Sequence, residues 1–148
     1  MQLRSTFTIL ALLATASAHV VSRDDSSDDS EPMANFSKSC GKVTIPKGGN
    51  YMEAECVAKD GSKKKSSLDL NFCIRQTYGG MEPHADGHFW GNPGCTGCQV
   101  DKNEQNILRC TCMGSQLNTF KTAELDLDRM VANSDGLLEC YGHGAESA

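Results

Sequence analysis

The sequence predicts a disulfide-bonded, β-rich domain made of two copies of one small module, and three observations carry that expectation. One stretch occurs twice: residues 66–82 read SSLDLNFCIRQTYGGME and residues 123–139 read AELDLDRMVANSDGLLE. The two share Leu-Asp-Leu, a later Gly and a closing Glu, with similar pairs between them: Asn71 with Asp128, Ile74 with Val131, Gln76 with Asn133, Thr77 with Ser134 and Met81 with Leu138. An ordered series over a whole supersecondary unit marks an internal repeat. The segments before each copy alternate apolar and polar residues with the period of a half-buried strand. Finally, all 8 cysteines follow an export-type leader, and an even count in an exported chain argues for disulfides.

In chain order, residues 1–18 carry Arg4, an apolar run from Phe7 to Ala14 and a small-residue cleavage site at Ala16-Ser17-Ala18. That is the pattern of a secretory signal, too short to span a membrane, so the protein is expected to be secreted and extracellular. Residues 19–32, with Asp24, Asp25, Asp28, Asp29 and Glu31 among serines, bury too little apolar surface to offset ordering entropy and read as a disordered acidic leader. A pro-segment cut after Arg23 is the lesser alternative. The folded domain is expected over residues 33–142, with repeat one at about 33–90, repeat two at about 91–142, and a tail at 143–148.

The formal net charge is -5 and the acidic leader supplies most of it, so the folded part is nearly balanced. Nucleic-acid binders present a basic face. Lys63-Lys64-Lys65, flanked by Gly61, Ser62, Ser66 and Ser67, is too short for one and reads as a solvated turn.

Repeat one opens with a strand through Val43 and Ile45, then the turn Pro46-Lys47-Gly48-Gly49-Asn50. A second strand from Tyr51 to Ala58 puts Met52, Ala54 and Cys56 on one face. Repeat two copies this hairpin, with Cys98 and Val100 rising, Asp101 to Glu104 as turn, and Leu108, Cys110 and Cys112 returning inward. Residues facing each other in an antiparallel pair keep a constant sum of positions. Cys95 with Cys112 and Cys98 with Cys110 satisfy that rule to within one residue, whereas the crossed pairing is off by five. Cys40 with Cys56 is then the copy of Cys95 with Cys112, and elimination leaves Cys73 with Cys140. Zinc is the rival, because Cys95-x-x-Cys98 and Cys110-x-Cys112 come near ligand spacings; an exported chain favours disulfides over it.

Each hairpin leads into the doubled stretch. Leu68 and Leu70 read as a short strand, Asn71 to Arg75 as a helical turn capped by the Asn, and a Gly-containing turn precedes another strand. Asn133-Ser134-Asp135-Gly136 is a hairpin signal, because Asp-Gly tolerates the positive φ such turns require. Asp69 and Asp126 suggest paired catalytic carboxylates, but a side-chain bond to backbone at the strand-to-turn junction accounts for them without catalysis. No nucleophile and base accompany them, so the chain is expected not to be an enzyme. His84 and His88 fall between Pro83 and Gly87 in a loop and read as surface histidines rather than a metal site. Trp90 is either a stacking platform or a core aromatic at the repeat junction, and Asn35-Phe36-Ser37 is an N-glycosylation acceptor.

The series Asn35-Phe36-Ser37…Cys40, Met52-Glu53-Ala54-Glu55-Cys56, Ser66 to Asn71 with Ile74, and Leu125-Asp126-Leu127-Asp128…Val131 to Gly136 with Leu138 resembles cyanovirin-N and its fungal homologues over about residues 33–142. The resemblance implies an all-β protein with short 3₁₀ turns, whose two pseudo-symmetric repeats exchange strands so that each half contains pieces of both. It also implies a lectin without cofactor that binds oligosaccharides or glycoprotein glycans of the mannose type in shallow, metal-free pockets, as a monomer or a strand-exchanged dimer. By residue, the better preserved pocket falls on Lys38, Ser39, Val57, Ala58, Lys59, Asn133, Ser134 and Asp135. The second falls on Arg75, Gln76, Thr77 and Tyr78, on Asn92, Pro93 and Gly94, and on Met113, Gly114, Ser115 and Gln116, and it departs further from the pattern. There Tyr78 replaces the acid found at Asp135.

Amide, carboxylate, ammonium and hydroxyl groups at Asn133, Asp135, Lys38 and Ser39 suit vicinal sugar hydroxyls, each both donor and acceptor. Turn chemistry alone would select Asn133 and Asp135 equally well. The rival function is a protein-binding secreted module, an effector or cell-wall component, on the same scaffold without sugar recognition.

Overall fold

A computed structural model of the chain describes residues 34–147 other than 92 and 117. The expected signal and acidic leader lie outside the described residues. Among the described residues twelve strands run in order: β1 Cys40–Thr44, β2 Tyr51–Val57, β3 Lys63–Asp69, β4 Ile74–Gln76, β5 Met81–Pro83, β6 Cys95–Val100, β7 Ile107–Met113, β8 Phe120–Asp126, β9 Ala132–Ser134, β10 Leu137–Cys140, β11 His143–Gly144 and β12 Glu146–Ser147. Short 3₁₀ turns at Phe36–Lys38, Pro46–Gly48, Leu70–Phe72 and Leu127–Arg129 punctuate them. The protein is thus all-β with two tandem repeats, each a three-stranded meander followed by a 3₁₀ turn and a small hairpin.

Alternation builds the meanders. In β2, Met52, Ala54 and Cys56 are buried while Tyr51 and Glu53 face outward; in β7, Leu108, Cys110 and Cys112 take the same inward positions. Both leading hairpins slip register at equivalent places, between Gly41 and Thr44 and between Thr96 and Gln99. The slip is absorbed by a left-handed residue, Lys42 at φ 53° in one copy and Gly97 at φ 61° in the other. Such bulges tighten the local twist.

The repeats exchange their small hairpins. Hairpin β9–β10 packs against β3 and β2 of repeat one, and the Leu138 N–H donates to the buried Ser66 hydroxyl at 2.8 Å. In return β5 of repeat one lies on β8 of repeat two. The entry to repeat one is held the same way: Asn35 N–H donates to the Asp128 carbonyl at 3.0 Å and Phe36 N–H to the Val131 carbonyl at 3.2 Å. Phe36 is fully buried. The buried Asp128 carboxylate accepts the Ser37 N–H at 2.9 Å and also the Ser37 hydroxyl, which satisfies a charge that would otherwise be costly to bury. A single core results, in which Phe36, Met52, Leu68 and Ile74 mix with Leu108, Leu127, Val131 and Leu138.

Four disulfides tie this together: Cys40–Cys56, Cys95–Cys112, Cys98–Cys110 and, between repeats, Cys73–Cys140. With all the cysteines bridged, none remains to ligate zinc.

Three expectations need correction. Lys63-Lys64-Lys65 is not a turn but the start of β3, opposite Val57, Cys56 and Glu55, because a register running on to Tyr51 opposite Asp69 outweighs the low strand propensity of lysine. The helical turn occupies Leu70–Phe72 rather than Asn71 to Arg75, and its cap is Asp69, whose carboxylate accepts the Asn71 N–H at 2.9 Å; Ile74–Gln76 is already strand. Residues 143–147, expected as a tail outside the domain, join its sheets: β11 pairs with β10, and β12 pairs with β3 as a fourth strand of the first sheet. Of the two readings left open for Trp90, the core one falls to its neighbour Phe89, which is fully buried, while Trp90 is half-exposed with its indole N–H toward the Gly48 carbonyl at 3.4 Å.

Candidate functional site

The hairpin turn Asp135-Gly136 has φ of 52° and 89°, the left-handed pair that a two-residue turn between twisted strands requires. Asn133 anchors it to repeat one. Its amide Nδ2 donates to the Ser39 hydroxyl at 2.8 Å and to the Val57 carbonyl at 2.9 Å, while its Oδ1 accepts the Gly136 N–H at 2.7 Å. Asp135 does similar work: Oδ1 accepts the Lys59 N–H at 2.8 Å. Lys64 reaches across from β3 to donate to the Asp135 carbonyl at 2.9 Å, with Oδ2 of the same residue 3.9 Å away. Residues from the first turn, the end of β2, β3 and β9–β10 thus converge on one rim. Lys59, Ser134 and Asp135 are exposed there, Lys38 is exposed on the first turn next to Ser39, and Ala58 forms the buried floor against Gly136.

The turn after β2 is closed by Asp60, whose carboxylate accepts the Ser62 hydroxyl at 2.6 Å and the Ser62 N–H at 2.9 Å; these bonds hold its pKa below the usual aspartate value. Further along β2, the Lys42 ammonium donates to Glu55 at 3.0 Å and lowers the pKa of that carboxylate, with Lys63 at 3.7 Å adding to the effect.

The second copy repeats the scaffold with other chemistry. Tyr78-Gly79 is its turn, with φ of 45° and 97°, and Gln76 Nε2 donates to the Met113 carbonyl at 2.6 Å as Asn133 does to Val57. Lys121 lies against Gly79 as Lys64 lies against Gly136. Arg75 is engaged by Glu82 on the facing strand, and Gly114 is buried with its N–H donating to the Thr119 carbonyl at 2.8 Å. Tyr78 is 76% exposed, and Ser115 and Gln116 are exposed on the adjoining loop. Asn92 lies outside the described residues.

The CVNH domain family matches residues 36–139. The chain belongs to the CVNH family. Among solved structures it is similar to a MoCVNH3 variant in complex with (N-GlcNAc)4, at 16% identity and TM-score 0.64, covering 72% of this chain and 97% of that one. It is likewise similar to the CVNH protein of Gibberella zeae, at 21% identity and TM-score 0.59 with 72% and 97% covered. A third likeness is to microvirin, solved with mannobiose, at 28% identity and TM-score 0.56 with the same coverage. No curated protein sequence matches the chain.

In this CVNH domain the two Leu-Asp-Leu aspartates are structural. Asp69 Oδ1 accepts the Asn50 side-chain amide at 2.7 Å in addition to the Asn71 N–H, and Asp126 Oδ1 accepts Asn106 at 2.9 Å and the Asp128 N–H at 3.0 Å. Lys64 is the rim residue that sequence reasoning missed. Its signal was the alternation of β3, in which Lys64, Ser66 and Leu68 share a face, but the lysine run concealed it. Among the described residues no group of histidine, cysteine or acidic side chains could hold a metal, and no helix is long and apolar enough to cross a membrane.

Proposed function

We propose that the protein is a secreted, non-catalytic lectin that binds glycans of the mannose type, without a metal, at the rim closed by hairpin β9–β10. The observation that carries this reading is the rim itself, in a family whose solved members include complexes with (N-GlcNAc)4 and mannobiose. Its scaffold is held by Asn133 and Asp135, which leaves the Lys38 ammonium, the Ser134 hydroxyl and Asp135 Oδ2 at the surface to meet sugar hydroxyls. Export is supported by the four disulfides, which persist in oxidising compartments.

The test separates ligand contacts from scaffold. Lys38→Ala with Ser134→Ala is expected to weaken binding of a mannobioside by roughly tenfold or more in calorimetry, with the thermal midpoint unchanged, as for the loss of two polar contacts. A glycan array without hits at high protein concentration would overturn the lectin reading and favour the protein-binding module.

A further inference from the structure

We infer a second, independent saccharide subsite in the cleft between the start of β2, the end of β3 and the C-terminal segment, with the Tyr51 ring as its floor and Asp69 as its polar anchor. The cleft has a volume of about 520 Å³, within the size range of small-molecule pockets, and is lined by Tyr51, Ser67, Asp69, Phe72, His143 and the backbone of Gly142 and Gly144. Tyr51 is 51% exposed, so its ring offers a face instead of filling the core. Both bonds made by the Asp69 carboxylate fall on Oδ1, and Oδ2 makes none among the described residues. The opposite wall is fixed in place: His143 stacks on Phe72 with ring centroids 4.4 Å apart, and its Nε2 lies 3.2 Å from Asp86 Oδ1.

The internal repeat provides the control. Register puts Tyr51 opposite Asp69 and Ile107 opposite Asp126, so the two aspartates are structural copies of each other. Where repeat one carries Tyr51 and Phe72, repeat two carries Ile107 and Arg129 and folds in the same way. The aromatic pair is therefore not required by the fold.

An aromatic face beside a carboxylate and hydroxyls matches a pyranose, which offers an apolar C–H face and a polar edge. A cation would also be drawn to a ring and a carboxylate. With one face of Phe72 covered by His143, however, Tyr51 is the open platform, and a single platform suits a flat sugar better than an enclosed ammonium. The cleft lies six residues along β2 from Val57, roughly 20 Å at strand rise, so a branched glycan could engage it and the hairpin rim together.

This inference rests on the reading that the protein binds saccharide, and the experiment keeps the two apart. Amide shifts of the folded, isotope-labelled protein are followed during titration with mannobiose and, separately, with an N-acetylglucosamine tetramer. Expected are shift changes around Tyr51, Asp69 and Gly142 that saturate independently of any around Lys38 and Ser134. Tyr51→Ile, which places in repeat one the residue repeat two already tolerates, is expected to weaken the first set on the order of tenfold and leave the second within about twofold. Changes confined to Lys38 and Ser134, or cleft changes indifferent to Tyr51→Ile, overturn the subsite and leave the lectin reading standing. No change anywhere overturns both. Displacement of the sugar from the cleft by tetramethylammonium is not expected, and cleft shifts with tetramethylammonium but not sugar would make it a cation site instead.

Discussion

Asn133 concentrates three bonds in one side chain, joining Ser39, Val57 and Gly136 across two repeats. Its replacement by Ala is expected to cost about 2 kcal/mol, because partners on both sides lose a bond, and urea denaturation would show the lowered midpoint. A drop in glycan binding in that variant would then report a loosened rim and not a lost contact. Acid sensitivity is also set by individual residues. Glu55 and Asp60 have folded pKa values below their unfolded ones, so the stability they contribute is present above the unfolded value and fades as pH falls through the folded one. Glu55→Gln is expected to flatten the acid limb of the stability curve below about pH 4.5, measured by melting across pH, and high salt to blunt the difference. The turn role of Asp135-Gly136 could be read from sequence because positive φ restricts residue choice. Three of the Asn133 and Lys64 contacts span 71 to 94 positions, and no local pattern encodes them.

At the level of elements, the two leading hairpins perform one job with different fillings. Val43 and Ala54 in β1–β2 occupy the places that the Cys98–Cys110 bridge takes in β6–β7, beside the same left-handed bulge. Replacing Cys98 by Val and Cys110 by Ala is therefore expected to preserve the fold and cost up to about 3 kcal/mol, the loop-closure contribution for a 12-residue separation. Scanning calorimetry would record a lower midpoint in a single transition, with the unfolding enthalpy falling along the heat-capacity slope. The nested order of these bridges was legible because antiparallel pairing conserves position sums. The extent of β3 was not: three consecutive lysines suppress any strand signal, and only their pairing with β2 reveals it.

For the molecule as a whole, exchange of the small hairpins makes the repeats mutually dependent. Each meander buries apolar residues that the other repeat's hairpin covers, so one cooperative unfolding transition is expected by both fluorescence and calorimetry. Cys73–Cys140 crosses that division with a separation of 67, and by loop closure its removal as Cys73→Ala with Cys140→Ala should cost about 4 kcal/mol, more than the loss of any hairpin bridge. Duplication could be seen directly in the doubled Leu-Asp-Leu stretch, whereas exchange came only with the family resemblance, because a repeat covered by its own hairpin would show the same periodicity. The pocket of Phe36, closed by Asp128 and Val131, carries this dependence into time. During synthesis the first repeat leaves the ribosome with its meander made and its covering hairpin not yet translated. Its apolar face must wait through some 60 further residues, about three to twelve seconds at typical elongation rates, before residues 131–140 arrive to complete it. The nascent chain is therefore most exposed to misassociation in the interval before residues 131–140 are made, and release from that hazard coincides with the arrival of the residues that close the hairpin rim.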